Sequence, residues 1–112
     1  MTTTAIYFRT QNRKVNESTH MVIVARFQDR STGTDVIPTN CRYRLDSDTH
    51  AIRDWTELTP GNEVTIELTP AETAISNATR VLERKVLAVA ADYGLSSVFV
   101  ETMPFHVRNN PY

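Results

Sequence analysis

The stretch ERKVLAVAADYG, residues 83–94, decides the fold of this chain. Its middle, Val86-Leu87-Ala88-Val89-Ala90-Ala91, is the longest apolar run in the sequence. Charged residues stand before it and Asp92-Tyr93-Gly94 follows as a turn. A strand here would be buried on both faces, at the centre of a two-layer core. A helix here would mean a different fold.

The residues just upstream sharpen the choice. Thr69-Pro70-Ala71-Glu72 has the form of a helix start, with Thr as N-cap, Pro in the first turn and Glu as capping-box partner. Ala71, Ala74, Ile75, Ala78, Val81 and Leu82 keep helical spacing, so one helix over residues 70–91 is one reading. Against it, Ser76, Asn77 and Thr79 compete for backbone hydrogen bonds. Charge also vanishes after Lys85, which would leave such a helix no wet face. The favoured reading is a short helical turn near residues 70–76, a loop, and a strand over about residues 83–92.

Working outward, the other segments read as strands. Met21, Ile23, Ala25 and Phe27 alternate with Val22, Val24, Arg26 and Gln28. Cys41, Tyr43 and Leu45 alternate with Arg42 and Arg44, a strand with one wet face. Val64, Ile66 and Leu68 alternate with Glu63, Thr65, Glu67 and Thr69, the cleanest half-buried pattern in the chain. Ile6 and Phe8 mark a first, edge strand, and Gln11 to Thr19 reads as a polar loop or arm. Residues 51–58, with Ile52, Trp55 and Leu58, form a shorter piece. Val98, Phe99 and Val100 begin a last strand that Pro104 interrupts, which suits an edge or a bulge. Gly33, Gly61 and Gly94 each sit in a turn, and Thr59-Pro60-Gly61-Asn62 places Gly61 where positive φ is useful.

About seven short strands separated by turns predict an all-β, Greek-key antiparallel β-sandwich. Residues 4–9, 20–29 and 62–69 should form one sheet. Residues 40–46, 83–92 and 97–107 should form the other, with 51–57 joining an edge. A length of 112 residues fits one domain over 1–112, with residues 1–19 as first strand plus loop or arm. At 40% apolar and 22% charged, the composition is that of a globular chain, and a net charge of −1 offers no attraction to nucleic acid or anionic membrane.

The chemistry-bearing residues form no site signature. Cys41 is the lone cysteine, so no intrachain disulfide is possible, and its alternation with Tyr43 and Leu45 makes it a small core residue. Asp46, Asp48 and His50 begin like a calcium loop but lack the Gly and distal Glu. His20, His50 and His106 lie on separate segments without zinc-ligand spacing. No cofactor, no metal and no catalysis are expected. No basic start followed by an apolar stretch opens the sequence, so no signal peptide and no membrane insertion are expected. Arg outnumbers Lys, which occurs only at Lys14 and Lys85, and Arg is enriched at interfaces. The candidate partner contacts are Arg9, Arg13 and Lys14, together with Arg42, Arg44 and Arg53, which should cluster on one wet sheet face. The plain alternative is a solvated, charge-balanced face, favoured because isolated surface charges contribute little.

Tyr43-Arg44-Leu45, the segment Trp55-Thr56-Glu57-Leu58-Thr59-Pro60, and Val86 through Gly94 together resemble an immunoglobulin-like or fibronectin type III-like domain. The order of an "RDWT" segment, a "VTIELTPA" segment, an "AADYG" segment and a "VRN" tail is also similar to small proteins of tailed-bacteriophage virions. That resemblance implies a non-enzymatic virion component made in the host cytoplasm. It would bind capsid, portal or tail proteins in multiple copies, as a capsid decoration or as an adaptor at the head–tail or tail–fibre junction. The alternative is a carbohydrate- or cell-surface-binding module used in host attachment, with Trp55 as its sugar platform.

Overall fold

The apolar run is a strand. The computed structural model describes residues 4–10, 14–48, 50–75, 82–93 and 97–108, and Leu82–Tyr93 runs through them as one extended segment. The strands in chain order are β1 (Thr4–Arg9), β2 (Lys14–Asn16), β3 (Met21–Asp29), β4 (Asn40–Ser47), β5 (Ala51–Leu58), β6 (Glu63–Leu68), β7 (Leu82–Tyr93) and β8 (Ser97–Arg108). They form a three-stranded sheet, β1-β3-β6, and a five-stranded sheet, β2-β8-β7-β4-β5. All pairings are antiparallel except β2 on β8, which is parallel. The crossing of the chain between sheets, β3 to β4 and β5 to β6, is the Greek-key path of immunoglobulin-like and fibronectin type III-like sandwiches. The expected fold and the expected sheet partners both hold.

Each sheet turns alternate side chains inward. Ile6, Met21, Ile23, Ala25, Phe27, Val64, Ile66 and Leu68 come from one sheet. Cys41, Tyr43, Leu45, Leu87, Val89, Ala91, Met103, Phe105 and Val107 come from the other. Phe27 and Phe105 are the largest fully buried apolar side chains. Each large side chain so buried contributes roughly 1.5–3 kcal/mol. β7 sits between β8 and β4, and Ala88 and Ala90 on its outward face are buried too, as an apolar run on both faces requires.

Four local readings change or sharpen. First, the polar segment after β1 is not merely a loop, because Lys14–Asn16 forms β2 beside β8. Edge pairing uses main-chain groups alone, so nothing in the side chains announced it. Second, residues 69–74 make one hydrogen-bonded turn and no helix. The capping box is present: Thr69 N donates to Glu72 Oε1 at 2.9 Å and Glu72 N donates to Thr69 Oγ1 at 3.3 Å. Third, positive φ falls on Gly33 (72°) and not on Gly61, where an added Cβ would lie 3.3 Å from the carbonyl oxygen of Glu63. Fourth, Pro104 faces Val86 of β7 in a part of β8 beyond the reach of β2, so its missing N–H breaks no described ladder on the open side. Gly94, Asn77, Thr79 and residue 76 of the expected turn lie outside the described residues.

Candidate functional site

β4 sends Cys41, Tyr43 and Leu45 inward and therefore Arg42 and Arg44 outward. Across the strand pair, Tyr43 faces Thr56 and Leu45 faces Arg53, so Asp54 and Trp55 together oppose the single residue Arg44. This is a β-bulge, and it re-aims the side chains of β5. Trp55 emerges on the outer face beneath two guanidinium groups. Arg42 stands 5.4 Å and Arg44 5.7 Å from its ring centroid. Such contacts contribute about 0.5–1 kcal/mol each when exposed.

Acidic neighbours hold both arginines in place. Arg42 donates to Asp92 Oδ2 at 3.2 Å. Arg44 donates through Nε and Nη2 to Asp46, both at 2.8 Å, and its Nη1 lies 3.7 Å from Asp54. The Asp46 bond raises the pKa of Arg44 further above its ordinary value. The result is a stacked Arg–Trp–Arg ladder with its charges balanced, and Trp55 still 40% exposed.

Beside the ladder the outer face turns apolar. Val86, Ala88 and Ala90 of β7 lie in register with Pro104, Thr102 and Val100 of β8. Val98 and Val100 are 63% and 50% exposed. Leu82 is exposed on the same face.

The expected cluster of three arginines is not formed. The bulge carries Arg53 to the inner side of the sheet, where its Nη1 donates to Tyr43 Oη at 2.8 Å. Its Nε lies 2.6 Å from Glu72 Oε2, a charge contact too bent to count as a hydrogen bond. Arg53 thus ties β5 to the turn after β6 and is a structural residue. Arg9 lies on the other sheet, 3.6 Å from Glu63, with its side chain 74% exposed. It lines a shallow cleft of about 260 Å³ with Tyr7, Val24, Arg26, Gln28 and Glu63. The backbone of Lys14 pairs with His106 in β2, and Arg13 lies outside the described residues.

Other candidates have structural partners. Cys41 is fully buried with its Sγ 3.8 Å from the carbonyl oxygen of Leu58, and burial pushes its pKa up, so it stays a thiol. His50 Nδ1 lies 3.0 Å from Ser47 Oγ, and Asp46 is engaged by Arg44. Among the described residues no group of three or more His, Cys, Asp or Glu side chains could hold a metal ion.

One feature of the sandwich escapes a reading that treats residues 83–85 as charge standing outside the core. Glu83 and Lys85 are buried, their side chains 2% and 1% exposed, with Lys85 Nζ donating to Glu83 Oε2 at 2.9 Å. The signal was available: stepping back by two from Leu87 puts both residues on the core face.

No protein-family model matches the chain, and no curated protein matches it. Among solved structures, it is similar to a conjugative transposon lipoprotein from Bacteroides eggerthii DSM 20697. The TM-score is 0.50 at 13% identity, over 91% of this chain and 95% of that one. At that identity the likeness concerns the fold alone, a two-sheet β-sandwich.

Proposed function

We propose that this chain is a non-enzymatic interaction module, a virion accessory protein of a tailed phage that binds other virion proteins. The observation that carries the interaction reading is the outer face of the five-stranded sheet. There a pre-ordered Arg42–Trp55–Arg44 ladder adjoins exposed Val98 and Val100. Trp and Arg are the residues that most often dominate protein–protein binding energy, and ordering them beforehand lowers the entropy lost on docking. The virion assignment is supported by the sequence resemblance alone.

The sugar-binding alternative needs an open face of Trp55. Trp55 is 40% exposed, with Arg42 and Arg44 5.4 Å and 5.7 Å from its ring centroid, and glycan binding separates the two readings.

The test is incorporation into particles. Virions produced from a genome encoding this chain should contain it by mass spectrometry, and a Trp55→Ala, Arg42→Ala chain should be depleted from them while folding normally. Purified virions that lack the wild-type protein would refute the assignment. Saturable glycan binding by the isolated chain, abolished by Trp55→Ala, would replace it with the sugar reading.

A further inference from the structure

The open edge of β8 carries a self-complementary pairing code. β7 and β8 pair without interruption from Leu82↔Arg108 to Tyr93↔Ser97. In an antiparallel pair, alternate residues bond to the neighbour or turn their N–H and C=O away from it. Glu17 N donates to the carbonyl oxygen of Arg108 at 2.8 Å, so Arg108 turns away from β7, toward β2. Counting back by two, His106, Pro104, Thr102, Val100 and Val98 turn the same way. β2 covers only residues 106–108, and among the described residues no strand pairs with the outer edge of residues 97–103. Val98, Val100 and Thr102 therefore present unpaired main-chain groups there.

Two other edges of the sandwich are guarded. β6 carries Glu63 and Glu67, and β5 carries Arg53, Asp54 and Glu57 around its bulge. Charges and bulges of this kind discourage edge-to-edge association. The β8 segment SVFVETM holds one charge, Glu101, and its outward side chains are two highly exposed valines and a threonine.

We propose that this edge pairs with the same edge of a second copy, antiparallel, about a two-fold axis at Val100. A strand paired antiparallel with itself is a closed, isologous contact. Val100 would face Val100, and Val98 would face Thr102, each as a mutually bonded pair, giving on the order of six main-chain hydrogen bonds. The single charge causes no collision, because Glu101 falls opposite Phe99 rather than opposite its own copy. Pro104 ends the ladder, having no N–H to offer. The two five-stranded sheets become one continuous sheet, and Val98, Val100 and Thr102 of both copies form a single β-branched band. The proposal does not depend on the virion assignment.

The experiment uses the full chain and charge-swapped variants at the axis. Val100→Lys sets two ammonium groups face to face, and Val100→Glu sets two carboxylates face to face. Sedimentation equilibrium should show a concentration-dependent dimer for wild type and monomers for each variant alone. An equimolar mixture of the variants should restore a 1:1 dimer. Amides of Val98, Val100 and Thr102 should exchange at least about tenfold slower in dimeric than in dilute wild type, while those of Phe99 and Glu101, bonded within the chain, should not change. A wild-type monomer at every soluble concentration overturns the proposal. So does a dimer that survives Val100→Lys, or a mixture of folded variants, checked by circular dichroism, that stays monomeric.

Discussion

Replacing Lys85 by Met tests the phase of β7 and the composition of the core together. Lys85 and Glu83 sit two residues apart on the inner face, fully enclosed, with 2.9 Å between Nζ and Oε2. Their register neighbours are Phe105 and Val107 on β8, and Ser47 faces Lys85 on β4. Removing the ammonium leaves the Glu83 carboxylate in this enclosed site without the cation now in contact with it. Breaking a buried pair from one side costs about 3–5 kcal/mol, a large share of the roughly 5–15 kcal/mol that holds a domain folded. In urea, at a slope of about 1.5–2 kcal/mol/M, the midpoint should fall by about 2–3 M. In a thermal melt, at roughly 4 °C per kcal/mol, Tm should fall by about 12–20 °C. The double change Glu83→Leu, Lys85→Met should recover wild-type stability or exceed it by about 1–4 kcal/mol, since two desolvated charges give way to apolar packing. Arg84, one residue away on the exposed outer face, is the control: Arg84→Met should stay within about 0.5 kcal/mol of wild type. A Lys85→Met variant that loses less than about 1 kcal/mol, or that loses less than Arg84→Met, refutes the burial of the pair. It would mean that β7 is shifted by one residue, because such a slip exchanges the two faces.

Cys41 should resist a neutral-pH alkylating agent in the native protein and react promptly once the chain is unfolded in urea; fast native labelling would contradict its burial and its raised pKa. Asp35 accepts hydrogen bonds from Arg26, Gln28 and Asn62, which hold its pKa below the ordinary 3.8. Its stabilising effect is therefore complete above the unfolded-state value and lost as pH falls through and below it. NMR titration should place the Asp35 carboxyl midpoint under 3.8, and Asp35→Asn should flatten the acid limb of the stability curve; a midpoint at or above 3.8 would count against the network. Arg44→Ala should uncover Trp55, raising acrylamide quenching of its fluorescence while lowering stability by at most about 1 kcal/mol. Unchanged quenching in both Arg44→Ala and Arg42→Ala would mean that the stacked ladder does not exist in solution.

Most of the sandwich was legible because its strands obey a two-residue period. Val64, Ile66 and Leu68 announce β6, and Met21 through Phe27 announce β3, with no knowledge of their neighbours. The apolar run in β7 was ambiguous in isolation and was settled by the loss of charge after Lys85. What the pattern could not carry was irregularity. Arg53 belongs with Arg42 and Arg44 only if residues alternate without interruption, and the bulge at Asp54 and Trp55 removes that condition. The same bulge creates the contact between Trp55 and the two arginines, so the candidate face and the misplaced residue have one cause. β2 was invisible for another reason: the three residues Lys14-Val15-Asn16, within a polar stretch, become a strand because β8 has free main-chain groups to offer, a property of the partner.

The parallel seating of β2 on β8 also fixes how the sandwich would bear tension. Tension applied through the chain before Lys14 and after Arg108 draws these two strands in opposite directions along their own length. The hydrogen bonds between them are then loaded sideways and together, and none can open ahead of the rest. Antiparallel strands joined by a hairpin, such as β7 and β8, would instead peel apart one bond at a time if pulled from their free ends. A force ramp on single molecules should therefore meet a high barrier at the β2–β8 contact once β1 has been drawn off β3, and a ramp without such a barrier would contradict this geometry. The smallest strand of the fold thereby acts as a mechanical latch between the chain leaving β1 and the end of β8.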